Sequence, residues 1–275
     1  MLCDVQSSQD FRNIPINKVG IRGITYPIVV EHKMDGFQNT VATLGLFVDL
    51  PASYKGTHMS RFVEVLANFR KQINIQEIPN ILKSMQERLK ADAAFIEVEF
   101  PYFIQKLAPV SRMASLMQYT CRIIGSMTGD VGDYILGVNV PITTVCPCSK
   151  EISDYGAHNQ RGEVRIQVRT NGIVWFEDLI EAAEGSASCD IHSLLKRPDE
   201  KYVTEKAYDN PKFVEDVVRD TIVNLRKLPE VLWVSVEVEN FESIHNHSAY
   251  ATIFGDFTEG SEISGALVSC SDTTS

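Results

Sequence analysis

Apolar residues recur along this chain with two periods, and the switches between them lay out its elements. Residues 14–31 are rich in Val and Ile, interrupted by Gly20, Gly23 and Pro27, and residues 38–49 follow after the turn signal Met34-Asp35-Gly36. The two runs predict an antiparallel strand pair. The period then lengthens. Ser60 stands where it can cap a helix beginning at Arg61, with Glu64 placed to close the cap, and Ile78, Ile81, Leu82, Met85 and Leu89 keep the three-and-four spacing of a one-sided helix. Alternation returns in 94–105, where Ile96, Val98 and Phe100 interleave with Glu97 and Glu99, and a further strand is expected over 113–124.

After the turn-rich stretch Thr128-Gly129-Asp130-Val131-Gly132-Asp133 the order repeats. Residues 134–144 and 163–170 predict strands joined by a loop over 146–158, and 174–183 predicts a helix. The charged segment 197–206 predicts a loop. Asn210 is then expected to cap a long helix from Pro211, whose apolar stripe is Val214, Val217, Val218, Ile222 and Leu225, before strands at 231–241 and 248–254. Two short echoes keep the same order in each half: Arg61-Phe62-Val63-Glu64 with Lys212-Phe213-Val214-Glu215, and Ile96-Glu97-Val98-Glu99-Phe100 with Val236-Glu237-Val238-Glu239-Asn240-Phe241. They point to a duplicated α+β module, one copy over 14–127 and one over 128–257, between flexible tails at 1–13 and 258–275.

Composition narrows the class. With 44% hydrophobic residues in 275 the chain can bury a substantial core. Nowhere do eighteen apolar residues run together, and the N-terminus lacks the apolar core of a secretory signal, so no membrane span and a cytoplasmic location are expected. Six irregularly spaced cysteines read as reduced thiols. A formal net charge of -10 argues against nucleic acid as a partner, because phosphate chains are met by a basic face.

Candidate chemistry gathers in four places. Cys146 and Cys148 stand one residue apart, and His158 follows across the same loop; a thiolate and an imidazole suit zinc or another borderline metal. On an extended strand both thiols would share a face, so one can bind metal while the other stays free. A carboxylate from 197–206 would complete a set with an open position for water, although such charged segments more often simply face solvent. Glu215 either pairs with Arg219 one turn on or accepts two parallel N–H donors of the kind a guanine or pterin edge presents. Glu242, His245 and His247 concentrate a carboxylate and two imidazoles between the last two strands, suited to general acid/base work or to metal ligation. Lys55, His58, Ser60 and Arg61 surround a helix N-terminus, a place suited to phosphate, and Lys150, Arg161, Lys196, Arg197 and Lys201 are further basic candidates. His32 and His192 lack such company and are expected to be structural.

At these residues the sequence resembles the GTP cyclohydrolase IB family of the tunnelling-fold superfamily. The resemblance runs over about 14–256 and is carried by KGTHMSRF, CPCSKEIS, GAHNQRG, RPDEKYVTEKAYDNPKFVED and NFESIHNHSAYA in order. It implies two tandem tunnelling-fold (T-fold) modules of antiparallel sheet backed by helices, assembled as a homotetramer with active sites at subunit interfaces. It also implies a divalent metal (zinc, manganese or iron) held by Cys146, His158 and Glu200, with Glu215 anchoring the purine. Cys148, Glu242, His245 and His247 would lie near the reacting ring. The implied reaction is hydrolysis of GTP at C8 to 7,8-dihydroneopterin triphosphate and formate. Two other readings stay open: a nitrile reductase of the same fold, using a catalytic cysteine and a nicotinamide, and a non-catalytic purine-binding zinc module with Cys148 or His247 as fourth ligand.

Overall fold

The computed structural model describes residues 6, 8–34, 36–69 and 73–257. In chain order the elements are β1 (Ile16–His32), β2 (Gly36–Leu50), α1 (Met59–Asn68), β3 (Ile73–Asn74), α2 (Ile78–Leu89), β4 (Ala93–Leu107), β5 (Ala114–Thr128), β6 (Val131–Val145), α3 (Pro147–Ile152), β7 (Asn159–Thr170), α4 (Phe176–Glu184), β8 (Cys189–Asp190), α5 (Arg197–Asp209), α6 (Val214–Leu225), β9 (Val231–Asn240) and β10 (Ala249–Asp256). The expected strand–strand–helix–helix–strand–strand order is present in the first half, with the short β3 added between its helices; in the second, α3 lies between β6 and β7, and α4, β8, α5 and α6 precede β9 and β10. No helix among the described residues is long and apolar enough to cross a membrane.

Two compact units form, Met1–Tyr102 with Thr120–Leu136 and Phe103–Tyr119 with Gly137–Ser275, as far as the described residues run. The chain passes from one to the other within β4, β5 and β6. In the first unit β1 pairs antiparallel with β2 and β2 with β4, while β3 adds to β1 in parallel. The alternation read from the sequence falls on one face: Ala94, Ile96, Val98 and Phe100 of β4 are buried with Leu44 and Leu46 of β2. Phe62, Val65 and Leu66 of α1 and Ile81, Leu82 and Met85 of α2 are buried as well. Residues 8–10 run beside the 51–56 loop: Asp10 N–H donates to Ser53 O, Lys55 N–H to Ser8 O, and Gln9 bridges to Tyr54. The tail at 258–275 lies outside the described residues.

In the second unit β7 pairs antiparallel with β9 and β9 with β10, and β8 adds to β6. Val164, Ile166 and Val168 of β7 and Val234, Val236 and Val238 of β9 are essentially inaccessible, as are Val217 and Leu225 of α6, which lies over β9 and β10. Each such side chain contributes about 1.5–3 kcal/mol by leaving water. The opposite face carries charge. Glu163 and Glu239 are direct cross-strand partners, a repulsive pairing that Arg165 offsets with bonds of 2.7 and 2.9 Å to the two carboxylates. Burial is hostile to the Arg165 charge, but its bonds to Glu239 and Glu163 raise its pKa, while the same guanidinium lowers that of Glu239.

Three local expectations are corrected. Ser60 does not cap α1; the helix starts at Met59, and its N-cap is His58, whose side chain makes no capping hydrogen bond. The charged segment at 197–206 is not a loop but α5, because Pro198 suits the first turn and the buried Asp199 carboxylate accepts the N–H of Lys196 at 2.8 Å. Consequently Asn210 closes α5 rather than opening the next helix; α6 starts at Val214, and Asp216 caps it through the N–H of Phe213 at 3.0 Å.

Candidate functional site

The site of the second unit is built at the ends of β6 and β7. Cys146 leaves β6 in an extended conformation, and Pro147, favoured at the first helical position, turns the chain into α3, so Cys146 becomes an N-cap whose sulfur accepts from Ser149 N–H at 3.5 Å. The shared-face expectation for the two thiols therefore fails, because the chain is helical rather than extended past Cys146; Cys146 is half-buried and Cys148 exposed. The loop returns through Gly156, whose φ of 125° is open to glycine, and closes where Cys146 N–H donates to His158 O at 3.1 Å. Ser149 fastens the closure, its hydroxyl donating to Cys146 O and accepting from His158 N–H, both at 3.1 Å.

Beside this pair, Phe241 N–H donates to Arg161 O at 2.8 Å and carries the β7–β9 ladder one step past Asn240, which brings the loop over 241–248 alongside His158. Gly162 is required there, since a Cβ on it would lie 2.9 Å from the backbone carbonyl oxygen of Glu239. His158 Nδ1 is 2.9 Å from Gln160 Oε1 and 3.3 Å from Ser243 Oγ, and Gln160 Nε2 reaches Glu242 Oε1 at 3.5 Å. Beyond Glu242 the exposed rings of His245 and His247 stack with centroids 5.1 Å apart. Gln160 and Ser243 were not singled out from the sequence. The signal was present in Gln160, a polar residue on the inward phase of an otherwise apolar strand.

α5 closes the other side. Val203 and Ala157 pack against a small core of Val145, Cys189 and Ala207, so the residues just ahead of Cys146 and His158 share a core with this helix. Glu200 is three residues before Val203 and seven before Ala207, on the same face, while its half-exposed carboxylate sits 3.5 Å from Arg197. The helix start is fixed by Asp199, whose carboxylate also accepts from Val110 N–H, Ser111 N–H and Ser111 Oγ at 2.6–2.8 Å. Burial opposes that charge, but the Ser111 bonds hold its carboxyl well below the usual carboxylate range. Among the described residues no three His, Cys, Asp or Glu side chains are grouped so as to hold a metal ion, Cys146, His158 and Glu200 included.

Glu215 is exposed in the first turn of α6, and Arg219 faces Asp216 at 3.8 Å rather than Glu215. Of the basic candidates, Lys150 donates to Tyr208 O and lies over the Tyr208 ring, and Lys201 pairs with Glu205. Lys55, His58, Ser60 and Arg61 belong to the first unit, around the start of α1. The two histidines expected to be structural are so placed: His32 stacks on Tyr102, and His192 lies against Asp190 with its side chain 6% exposed. None of the four cysteines among the described residues is in a disulfide.

Solved structures share the fold. Uricase from Arthrobacter globiformis superposes with a TM-score of 0.52 at 10% identity, covering 90% of this chain and 95% of that one. A urate oxidase from Bacillus sp. TB-90 gives 0.52 at 10% identity, covering 88% and 99%. The architecture is thus the expected α+β tunnelling fold, an antiparallel sheet backed by helices. In sequence, the chain is 57% identical to GTP cyclohydrolase FolE2 of Syntrophobacter fumaroxidans, covering 92% of this chain and 98% of that protein. It is 53% identical to GTP cyclohydrolase FolE2 of Thermosipho africanus, covering 93% and 99%. The family model described as type I GTP cyclohydrolase folE2 matches residues 2–251. These findings replace the label IB taken from the resemblance: the chain belongs to the type I GTP cyclohydrolase folE2 family.

Proposed function

We propose that this protein is a metal-dependent GTP cyclohydrolase that hydrolyses GTP at C8, giving 7,8-dihydroneopterin triphosphate and formate at the entry to folate and pterin synthesis. The observation that carries the reading is the closed Cys146–His158 pair with the Glu242–His247 loop beside it, in a chain whose relatives are named GTP cyclohydrolase. The same relatives weigh against a nitrile reductase and against a non-catalytic purine-binding module.

The three donors are not drawn together in this structure, and what supports an ion is their chemistry: a thiolate, an imidazole and a carboxylate suit a borderline divalent metal such as zinc, manganese or iron. Cys146 offers a half-buried thiol, and His158 has Nδ1 engaged by Gln160 and Ser243, leaving Nε2 for a ligand. Glu200 would complete the set by exchanging Arg197 for the ion from its place on α5. When bound, such an ion is a Lewis acid that makes water nucleophilic near neutral pH. Protein groups do the rest. The Glu215 carboxylate accepts the two parallel N–H donors of guanine and so sets the position of C8. His245 and His247 exchange protons with the opening imidazole ring, delivering one to N7, and Glu242 assists from the same loop. Lys55, His58, Ser60 and Arg61 at the start of α1 have the charge and hydrogen-bonding groups to hold a triphosphate from a neighbouring subunit, and Cys148 lies exposed on α3.

The two-module division at 14–127 and 128–257, a homotetramer and a cytoplasmic location belong to the same reading. The pair of strands that follows the helices in each half, β4 with β5 and β9 with β10, supports the first of these. Purified protein given GTP and a divalent metal should release formate and a product that fluoresces after oxidation. Absence of formate under every metal condition would overturn the reading.

A further inference from the structure

We infer that Gln160 is a positioning residue that makes the metal-holding pair and the acid/base loop one assembly, by fixing which nitrogen of His158 carries the proton. The inference rests on the reading above, in which Cys146, His158 and Glu200 hold an ion.

Gln160 is 7% exposed, and its carbonyl accepts from Thr143 Oγ1 at 3.1 Å, so its side chain leaves β7 from a fixed point. A carboxylate offers only acceptors, so the amide end facing Glu242 is the nitrogen, 3.5 Å from Oε1. The oxygen then faces His158. That oxygen is also only an acceptor, so Nδ1, 2.9 Å away, carries the proton, and Ser243 Oγ reaches the same nitrogen at 3.3 Å. Nε2 is left with a lone pair, the form in which an imidazole binds a metal.

Reversing the amide would invert the outcome. Its NH2 would point at Nδ1 and force the proton onto Nε2, where the ion is to bind, and its oxygen would oppose the Glu242 carboxylate. The charge on Glu242 therefore selects the amide orientation, and the amide selects the ligand-competent imidazole. A buried glutamine serving only as a packing group would need neither contact, and an apolar side chain would satisfy the inward phase of β7 more cheaply.

Two variants of the full-length protein separate the arms. Gln160→Glu keeps an acceptor for His158 Nδ1 but sets a like charge against Glu242; Gln160→Met, of similar length, removes both contacts. Zinc affinity of the metal-free protein is measured by competition with a chelator, the thiolate absorption band by cobalt substitution, and kcat and KM with GTP. Gln160→Met is expected to lose about 10–100-fold in zinc affinity with a weakened cobalt band. Gln160→Glu is expected to keep the affinity and the band while kcat falls and KM for GTP holds. Equal zinc affinity in wild type and Gln160→Met, or an equal loss in both variants, overturns the inference alone. Wild-type protein that binds no zinc overturns the metal reading and this one together.

Discussion

The main-chain N–H of Cys146 donates to the carbonyl of His158 at 3.1 Å, so two residues twelve apart in sequence emerge from neighbouring strands as a closed pair. Ser149 is the clasp, touching both backbones through one hydroxyl. Ser149→Ala should lower stability by about 1–2 kcal/mol, two hydrogen bonds being lost in a half-buried place, and should weaken zinc binding as the pair loosens. Urea unfolding and chelator competition on the same preparation read the two effects; unchanged zinc affinity would show that the clasp is not what holds the pair.

Glu215 stands apart from the thiol and imidazole in its demands, since its task is to hold the base. Glu215→Gln presents an N–H to donors that need an acceptor, and should cut kcat/KM for GTP by about 10²-fold through misplacement of C8. Zinc stoichiometry should not change. A variant that lost its zinc would place Glu215 in the metal site instead.

His245 and His247 lie outside the Cys146–His158 closure, stacked on one another in an exposed loop. Replacing either with Ala should reduce kcat by about 10²–10⁴-fold, the usual contribution of a positioned proton donor or acceptor, with zinc still bound. Metal analysis beside steady-state kinetics decides it, and release of zinc from either variant would make that ring a ligand.

Lys106 sits in the second unit with a side chain 12% exposed, bonded to both oxygens of Glu184, to Asp190 and to Ile191 O, each at 2.9 Å. Burial alone would raise the Asp190 pKa, but its bonds to Lys106 and then Lys206 hold it well below the ordinary value. A depressed carboxyl adds stability that is complete above its unfolded pKa of about 4 and is lost as pH falls toward the folded value. Lys106→Met should cost about 3–5 kcal/mol near neutral pH by leaving Glu184 without its cation, and should flatten the acid loss of stability, because carboxyls no longer held below their unfolded pKa take up protons in the folded state over the same pH range. Urea midpoints from about pH 3 to 7 measure both. Parallel pH curves for variant and wild type would count against the pairing.

Asp199 fixes the start of α5 to Val110 and Ser111, and Glu200 follows it directly. Asp199→Ala should speed amide exchange in the first turns of α5 while leaving α6 protected, and should weaken zinc binding through Glu200. Exchange spread evenly over both helices would mean a global loss of stability instead.

The fold was legible where one phase of the pattern was apolar and the other was not. Ile96, Val98 and Phe100 in β4, and Val236 and Val238 in β9, could be assigned to a core face because a one-residue slip would have buried glutamates. The strand echo also fell on matching elements, each the first strand after its set of helices. The helical echo did not, for α1 opens its set and α6 closes the other. α5 was missed because its moment is weak. It is a charged helix whose buried contacts include Asp199, a polar anchor, and Ala207, so periodicity had little to register.

The sequence by itself determined the alternation, the family motifs and the residue types available to the chemistry, because these depend on local spacing and composition. Tertiary structure alone decided that Cys146 would cap a helix rather than extend a strand, and that Asp199 would meet a turn some ninety residues earlier. It also decided that Gln160 would stand between His158 and Glu242. Such contacts join groups distant along the chain, and their cost and benefit are settled only when β7, β9 and α5 are brought together and every buried polar group must find a partner.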